Sequence, residues 1–132
     1  MHVSPDRVLA LLALALALTG GGATAAAARA SGDDDVRVRG TCSGSSTIRL
    51  RLRADDGRIR AELELASPRK GAVWSVVILH ERRLVARVTA RAQVGDDTAR
   101  VRRLLADWYG TDTVSVRASR AAGETCRVSA TL

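Results

Sequence analysis

Residues 48–65 read IRLRLRADDGRIRAELEL. Ile48, Leu50, Leu52 and Ala54 alternate with Arg49, Arg51 and Arg53. Beyond Asp55-Asp56-Gly57, Ile59, Ala61, Leu63 and Leu65 alternate with Arg58, Arg60, Glu62 and Glu64. Successive side chains of a strand point to opposite faces, so a strict period of two marks a strand with one dry and one wet face. Asp-Asp-Gly between two such runs is hairpin chemistry, because glycine adopts positive φ at no steric cost. The stretch predicts an antiparallel hairpin with its apolar residues on a core and cross-strand Arg–Glu pairs on its wet face.

The same period extends in both directions. Val36 and Val38 alternate with Arg37 and Arg39. Ala72 to His80 (AVWSVVILH) is the most apolar run, with Trp74, Val76 and Ile78 assigned to the core. That parity turns Val77 and Leu79 outward, where they are either covered by an edge segment or form a sticky surface. After Glu81-Arg82-Arg83, Leu84, Ala86, Val88 and Ala90 alternate with Val85, Arg87, Thr89 and Arg91, and Gly95-Asp96-Asp97 is a further turn. Thr98 to Trp108 has two readings. As a helix, Val101, Leu104, Leu105 and Trp108 share a face between a Thr98 cap and Gly110. As a strand, Ala99 and Val101 face in and the chain bends through Arg102-Arg103; the surrounding strands favour this second reading. Thr113–Ala118 and Thr125–Leu132 complete the series, the latter with Cys126, Val128 and Ala130 inward. About seven or eight short strands punctuated by turns point to an all-β, antiparallel sandwich occupying residues 36–132.

The chain begins differently. Arg7, an uninterrupted apolar run from Val8 to Leu18, and the small-residue stretch TGGGATAAAARA are the three parts of a secretory signal peptide. Cleavage is expected after Ala28 or Ala30, with Ala25 a further site; the alternative is an uncleaved anchor. A spanning helix needs roughly twenty apolar residues, and this core is shorter. Residues 31–35, ending in Asp33-Asp34-Asp35, read as a disordered acidic lead-in. Export into an oxidising space makes Cys42 and Cys126, the chain's two cysteines, a disulfide pair.

The segment ADWYGTDTVSVRA resembles the E–F corner and F strand of bacterial immunoglobulin-like and fibronectin-type-III-like domains, where an Asp, a Gly and a T-V-x-V strand recur. With GTCSGSST opening the domain and GETCR closing it, the exported part also resembles small secreted bacterial proteins of unknown function. The resemblance implies a single immunoglobulin-like sandwich. It implies no ligand, and the cysteines are not placed as an inter-sheet pair around Trp74.

Site chemistry is sparse. Lys70 is the only lysine among 21 basic residues, and the formal net charge is +7. Arginine at the wet positions of strands accounts for most of this; the alternative is a surface for acidic polymers. His80 is the only histidine after the signal, so neither a zinc site nor a nucleophile–base pair assembles from the sequence. Asp55, Asp56, Asp96 and Asp97 are candidate calcium ligands only if their loops share one end of the sandwich. Trp108-Tyr109 is either a corner plug or a stacking platform.

These readings predict a secreted module without catalytic residues or cofactor, working at the cell surface, in the medium or in a periplasm. Its expected partner is a protein or a cell-wall component, and Val77, Leu79, Arg49, Arg51, Arg53, Trp108 and Tyr109 are its candidate interaction surface. Binding of wall polysaccharide or nucleic acid through the arginine face is one alternative, with nucleic acid the less favoured ligand, and calcium binding is another. Membrane contact is expected only through an uncleaved signal.

Overall fold

The computed structural model describes residues 35–132 except Val94 and Tyr109. The expected signal peptide and nearly all of the acidic lead-in lie outside the described residues. Nine strands form among them: β1 (Asp35–Arg39), β2 (Thr41–Cys42), β3 (Thr47–Asp55), β4 (Arg58–Ala66), β5 (Val73–His80), β6 (Arg83–Arg91), β7 (Thr98–Ala106), β8 (Thr113–Arg120) and β9 (Thr125–Thr131). The count exceeds the seven or eight expected, and β1 begins at Asp35, inside the lead-in.

The hairpin of residues 48–65 is β3 and β4, paired from Thr47↔Ala66 to Asp55↔Arg58. Asp56 and Gly57 both take positive φ, 49° and 75°, the combination a two-residue hairpin turn requires. All pairings are antiparallel and build two sheets, one ordered β1-β3-β4-β7 and the other β2-β9-β8-β5-β6. The faces turned toward each other carry the core, in which Ile48, Leu50, Leu52, Ile59, Leu65, Trp74, Ile78 and Val114 are fully buried.

Thr98–Ala106 is strand throughout, paired with β4 in unbroken register from Ala66↔Thr98 to Arg58↔Ala106. The expected bend through Arg102-Arg103 is absent. The favoured strand reading holds, and the apolar residues at helical spacing do not share a face: Leu104 points outward, 53% exposed, while Leu105 points in. A register irregularity between Ile78 and Leu79 sets Leu79 opposite Leu84. A bulge of this kind shifts side-chain parity, so Leu84, expected on the same face as Ala86, Val88 and Ala90, is 49% exposed.

The chain passes between sheets at Gly40, where only glycine fits. A Cβ there would lie 2.0 Å from the Arg127 carbonyl oxygen and 2.6 Å from Val128 Cβ. This close approach delivers Cys42 opposite Cys126 in the β2–β9 pair. The two form a disulfide with Cα atoms 4.0 Å apart. As the cysteine spacing suggested, the bond ties the start of the domain to its last strand.

Candidate functional site

Arginine, rather than any catalytic group, dominates the solvent face of each sheet, and the two faces differ in how its charge is balanced. On the four-stranded sheet the register sets Arg37, Arg51, Glu62 and Arg102 in one cross-strand row, and Arg39, Arg49, Glu64 and Arg100 in the next. Carboxylates are interleaved. Arg51 donates to both oxygens of Asp35, 3.0 Å from Nε and 2.6 Å from Nη2, and its Nη1 lies 3.9 Å from Glu62. That bidentate bond, with Arg37 and Arg53 nearby, holds the Asp35 carboxyl below the usual carboxylate range and raises the Arg51 guanidinium. Arg60 pairs with Asp55 at 2.7 Å, and Arg100 lies within 4 Å of Glu64 and Asp96. The expected cross-strand Arg–Glu pairing is present, and it occupies Arg51, one of the candidate ligand contacts. Arg49 and Arg53 keep no ion pair among the described residues, and an open groove of about 440 Å³ runs between Arg37, Arg39, Arg49 and Arg51.

The five-stranded sheet has no such balance. Its outward positions are Thr113, Ser115, Arg117 and Ser119 on β8 and Thr125, Arg127, Ser129 and Thr131 on β9. Val73, Ser75, Val77 and Leu79 on β5, with Arg87, Thr89 and Arg91 on β6, complete the face. These strand positions include no Asp or Glu. Val77 and Leu79, expected on the surface, are half-buried. Val77 is flanked by Arg87 and Arg117, and Leu79 by Leu84 and Ser115, so the apolar strip is narrow and bordered by charge.

Polar residues also close both ends of the sandwich. At one end the His80 ring, 1% exposed, donates from Nε2 to Asp112 Oδ1 at 2.7 Å. The Trp108 indole stacks on that ring, 3.9 Å between centroids and 7° from parallel. The Trp108 main-chain N–H also donates to Asp112 at 3.3 Å, and Asp112 exchanges two main-chain hydrogen bonds with Leu132. Trp108 thus covers a buried His–Asp pair with one ring face, while the side chain stays 37% exposed and the Arg83 guanidinium lies 5.8 Å from its ring centroid. Tyr109 lies outside the described residues.

At the other end Arg120 occupies the inward position opposite Trp74 and lies over its ring at 5.3 Å. It pairs with the buried Glu124 at 3.0 Å. Glu124 in turn accepts hydrogen bonds from the Ser46 hydroxyl and main-chain N–H. Burial alone would raise the Glu124 carboxyl. The Ser46 bonds, Arg120 and the Gly44 N–H outweigh it and hold the group below the ordinary glutamate range.

The four calcium candidates do not converge. Asp55 and Asp56 sit at the turn beside Ala106, whereas Asp96 and Asp97 precede Thr98 at the far end of β4. Nine residues of strand separate the two turns, roughly 27 Å. Asp96 and Asp97 are engaged locally, accepting from Thr98 N–H and the Thr98 hydroxyl. No group of three His, Cys, Asp or Glu side chains suited to a metal occurs among the described residues, and these contain no helix long and apolar enough to cross a membrane.

Arginine imbalance between the two faces is therefore the feature with the most binding chemistry. No protein-family profile, curated protein or solved structure matches the chain. The assignment of a role rests on the site's own chemistry.

Proposed function

We propose that this protein is an exported, disulfide-closed binding module that holds acidic polymers outside the cell through arginine on its sheet faces and performs no chemistry of its own. The observation that carries the reading is the set of exposed strand guanidiniums without a carboxylate partner among the described residues: Arg39, Arg49, Arg53, Arg58 and Arg103 on one sheet, and Arg83, Arg87, Arg91, Arg117 and Arg127 on the other. Arginine held on rigid strands presents fixed forks to sulfate or phosphate. The signal-like N-terminus and the disulfide support an extracellular setting.

An immunoglobulin-like ancestry belongs to the same proposal. The run β9-β8-β5-β6 follows the G-F-C-C′ order of variable-type domains. The consecutive pairing of β3 with β4 departs from the A-B-E-D order of the opposite sheet, so any kinship is with the sandwich in its broad sense.

The test is retention of the oxidised protein on heparin resin compared with a plain sulfonate cation exchanger. Elution from heparin at distinctly higher salt is expected; coincident elution would reduce the reading to bulk charge. N-terminal sequencing of the exported form should begin at Ser31 or Arg29, whereas an intact Met1 on a membrane-bound product would contradict export.

A second reading, capture of a protein partner, is favoured by β6, an edge strand with Leu84 and Val85 exposed. Val85→Lys should abolish such capture and leave heparin elution in place; capture undiminished by the change would remove β6 as the docking edge.

A further inference from the structure

The two faces are not equivalent as anion sites. On the four-stranded sheet Glu62 and Glu64 stand between arginine columns, and Arg51, Arg60 and Arg100 are held by acids of the same face. On the five-stranded sheet Arg87, Val77, Arg117 and Arg127 occupy one continuous cross-strand row. Arg117 and Arg127 face each other directly across β8 and β9, both exposed. Like charges at directly opposed positions destabilise a sheet. No carboxylate among the described residues forms an ion pair with either arginine.

The surroundings of the pair suit an oxyanion. An open groove of about 400 Å³ is lined by Arg39, Arg117 and Arg127 together with Thr41, Ser115 and Ser129. The Ser115 and Ser129 hydroxyls lie 3.1 Å apart and the Thr113 and Thr131 hydroxyls 3.0 Å apart, forming a ladder of neutral donors beside the guanidiniums. Strand spacing sets Arg117 and Arg127 about 5 Å apart at the backbone and Arg87 about 10 Å beyond Arg117. Two adjacent forks can grip one tetrahedral oxyanion, and the third reaches a later one along a chain.

We infer that the outer face of the five-stranded sheet, centred on Arg117 and Arg127, continued by Arg87 and bordered by Arg39 from the neighbouring edge strand of the other sheet, is the binding site for a linear, base-free polymer of sulfate or phosphate groups. The inference rests on the proposed polyanion binding and assigns it to one face and one ligand class. No aromatic residue lies at the face's strand positions, so it offers no platform on which nucleic-acid bases could stack.

Titration of the oxidised full chain with heparin and with long-chain polyphosphate over a salt series tests this, using Arg117→Ser/Arg127→Ser and, as the control face, Arg49→Ser/Arg53→Ser. Serine matches the neighbouring outward residues, and removal of the opposed charges should leave the melting temperature unchanged or higher. The first variant should lose at least tenfold in affinity and flatten the log K against log[salt] slope by about 1.4, near 0.7 for each lost contact to a flexible chain. The control variant should lose less than half as much in slope. A larger loss with heparin than with polyphosphate identifies sulfate as the better-fitted group, and the reverse identifies phosphate. Equal losses in the two variants would overturn the face assignment and leave polyanion binding standing. Wild-type protein that binds neither polymer would overturn both. Tighter binding of oligo(dT) or of phosphatidylglycerol vesicles than of either polymer would overturn the ligand class.

Discussion

Ser46 supplies Glu124 with two hydrogen bonds, and Arg120 closes an ion pair on the same carboxylate at 3.0 Å. Gly44 lies so close that a Cβ would meet Glu124 Oε2 at 2.3 Å. A carboxyl whose folded pKa lies below its unfolded value adds stability above that unfolded value and loses it as pH falls through the folded one. Glu124 therefore supports the fold at neutral pH, and its contribution fades below its ordinary value of 4.5. Glu124→Gln should cost on the order of 1–3 kcal/mol at pH 7, and its unfolding midpoint should fall less steeply than wild type between about pH 5 and 3. Parallel acid limbs in denaturant titrations would contradict this role. At the opposite end Asp112→Ala leaves His80 buried without its partner and frees the main-chain N–H of Trp108. A loss on the order of 1–3 kcal/mol should accompany a red shift of tryptophan emission as the indole leaves the His80 ring. An unshifted spectrum would mean that Asp112 does not hold the plug.

These residues also mark what parity could and could not reveal. Val114, Val116 and Ala118 face inward on β8, and continuing that count by two reaches Arg120; counting back from Cys126 on β9 reaches Glu124. Two opposite charges at inward positions of adjoining strand ends were thus legible as a pair, and went unread because charge was equated with the wet face. The His80–Asp112 bond was not legible. The partners are 32 residues apart, and their meeting depends on how the loop after β7 returns over the end of β5.

At the scale of elements, the long strands β3, β4, β5 and β9 followed directly from alternation, because a one-residue slip would exchange dry and wet faces. The bulge in the β5–β6 pair left no signal of its own, and Leu84 was misassigned for that reason. On β7, Arg103 sits opposite the buried Ala61, at an inward position, yet its side chain is exposed because β7 is the sheet's edge. Inward-pointing charge on an edge strand discourages pairing with the edge of another molecule. Arg103→Val is therefore expected to yield dimers or larger species in size-exclusion chromatography at micromolar concentration, with little change in monomer stability. A variant that stays monomeric would mean that β7 is protected by other means, with Arg100 and Arg102 the first candidates.

Taken as a whole, the molecule joins its two sheets at one side through the shortest of its crossings, and the disulfide fixes that seam. Cys42 and Cys126 enclose a separation of 84 residues, nearly the entire described domain. On the chain-entropy account, closing so long a loop contributes about 4–5 kcal/mol, an upper figure because native strain and residual structure reduce it. Domains of this size are stable by roughly 5–15 kcal/mol in total. The bond accordingly supplies a large share of the margin, and it forms only where thiols oxidise. On these figures a reduced chain would keep roughly 0–10 kcal/mol, so a domain at the low end of the range would depend on oxidation of its thiols to stay folded. Cys42→Ala/Cys126→Ala should lower the melting temperature by about 20 °C or more, since each kcal/mol is worth about 4–8 °C in a domain of this length. The same fall should follow reduction of the wild type by dithiothreitol. A drop below about 5 °C in both would show that core packing across the two sheets carries the fold without its staple, and would remove the strongest structural support for an extracellular role.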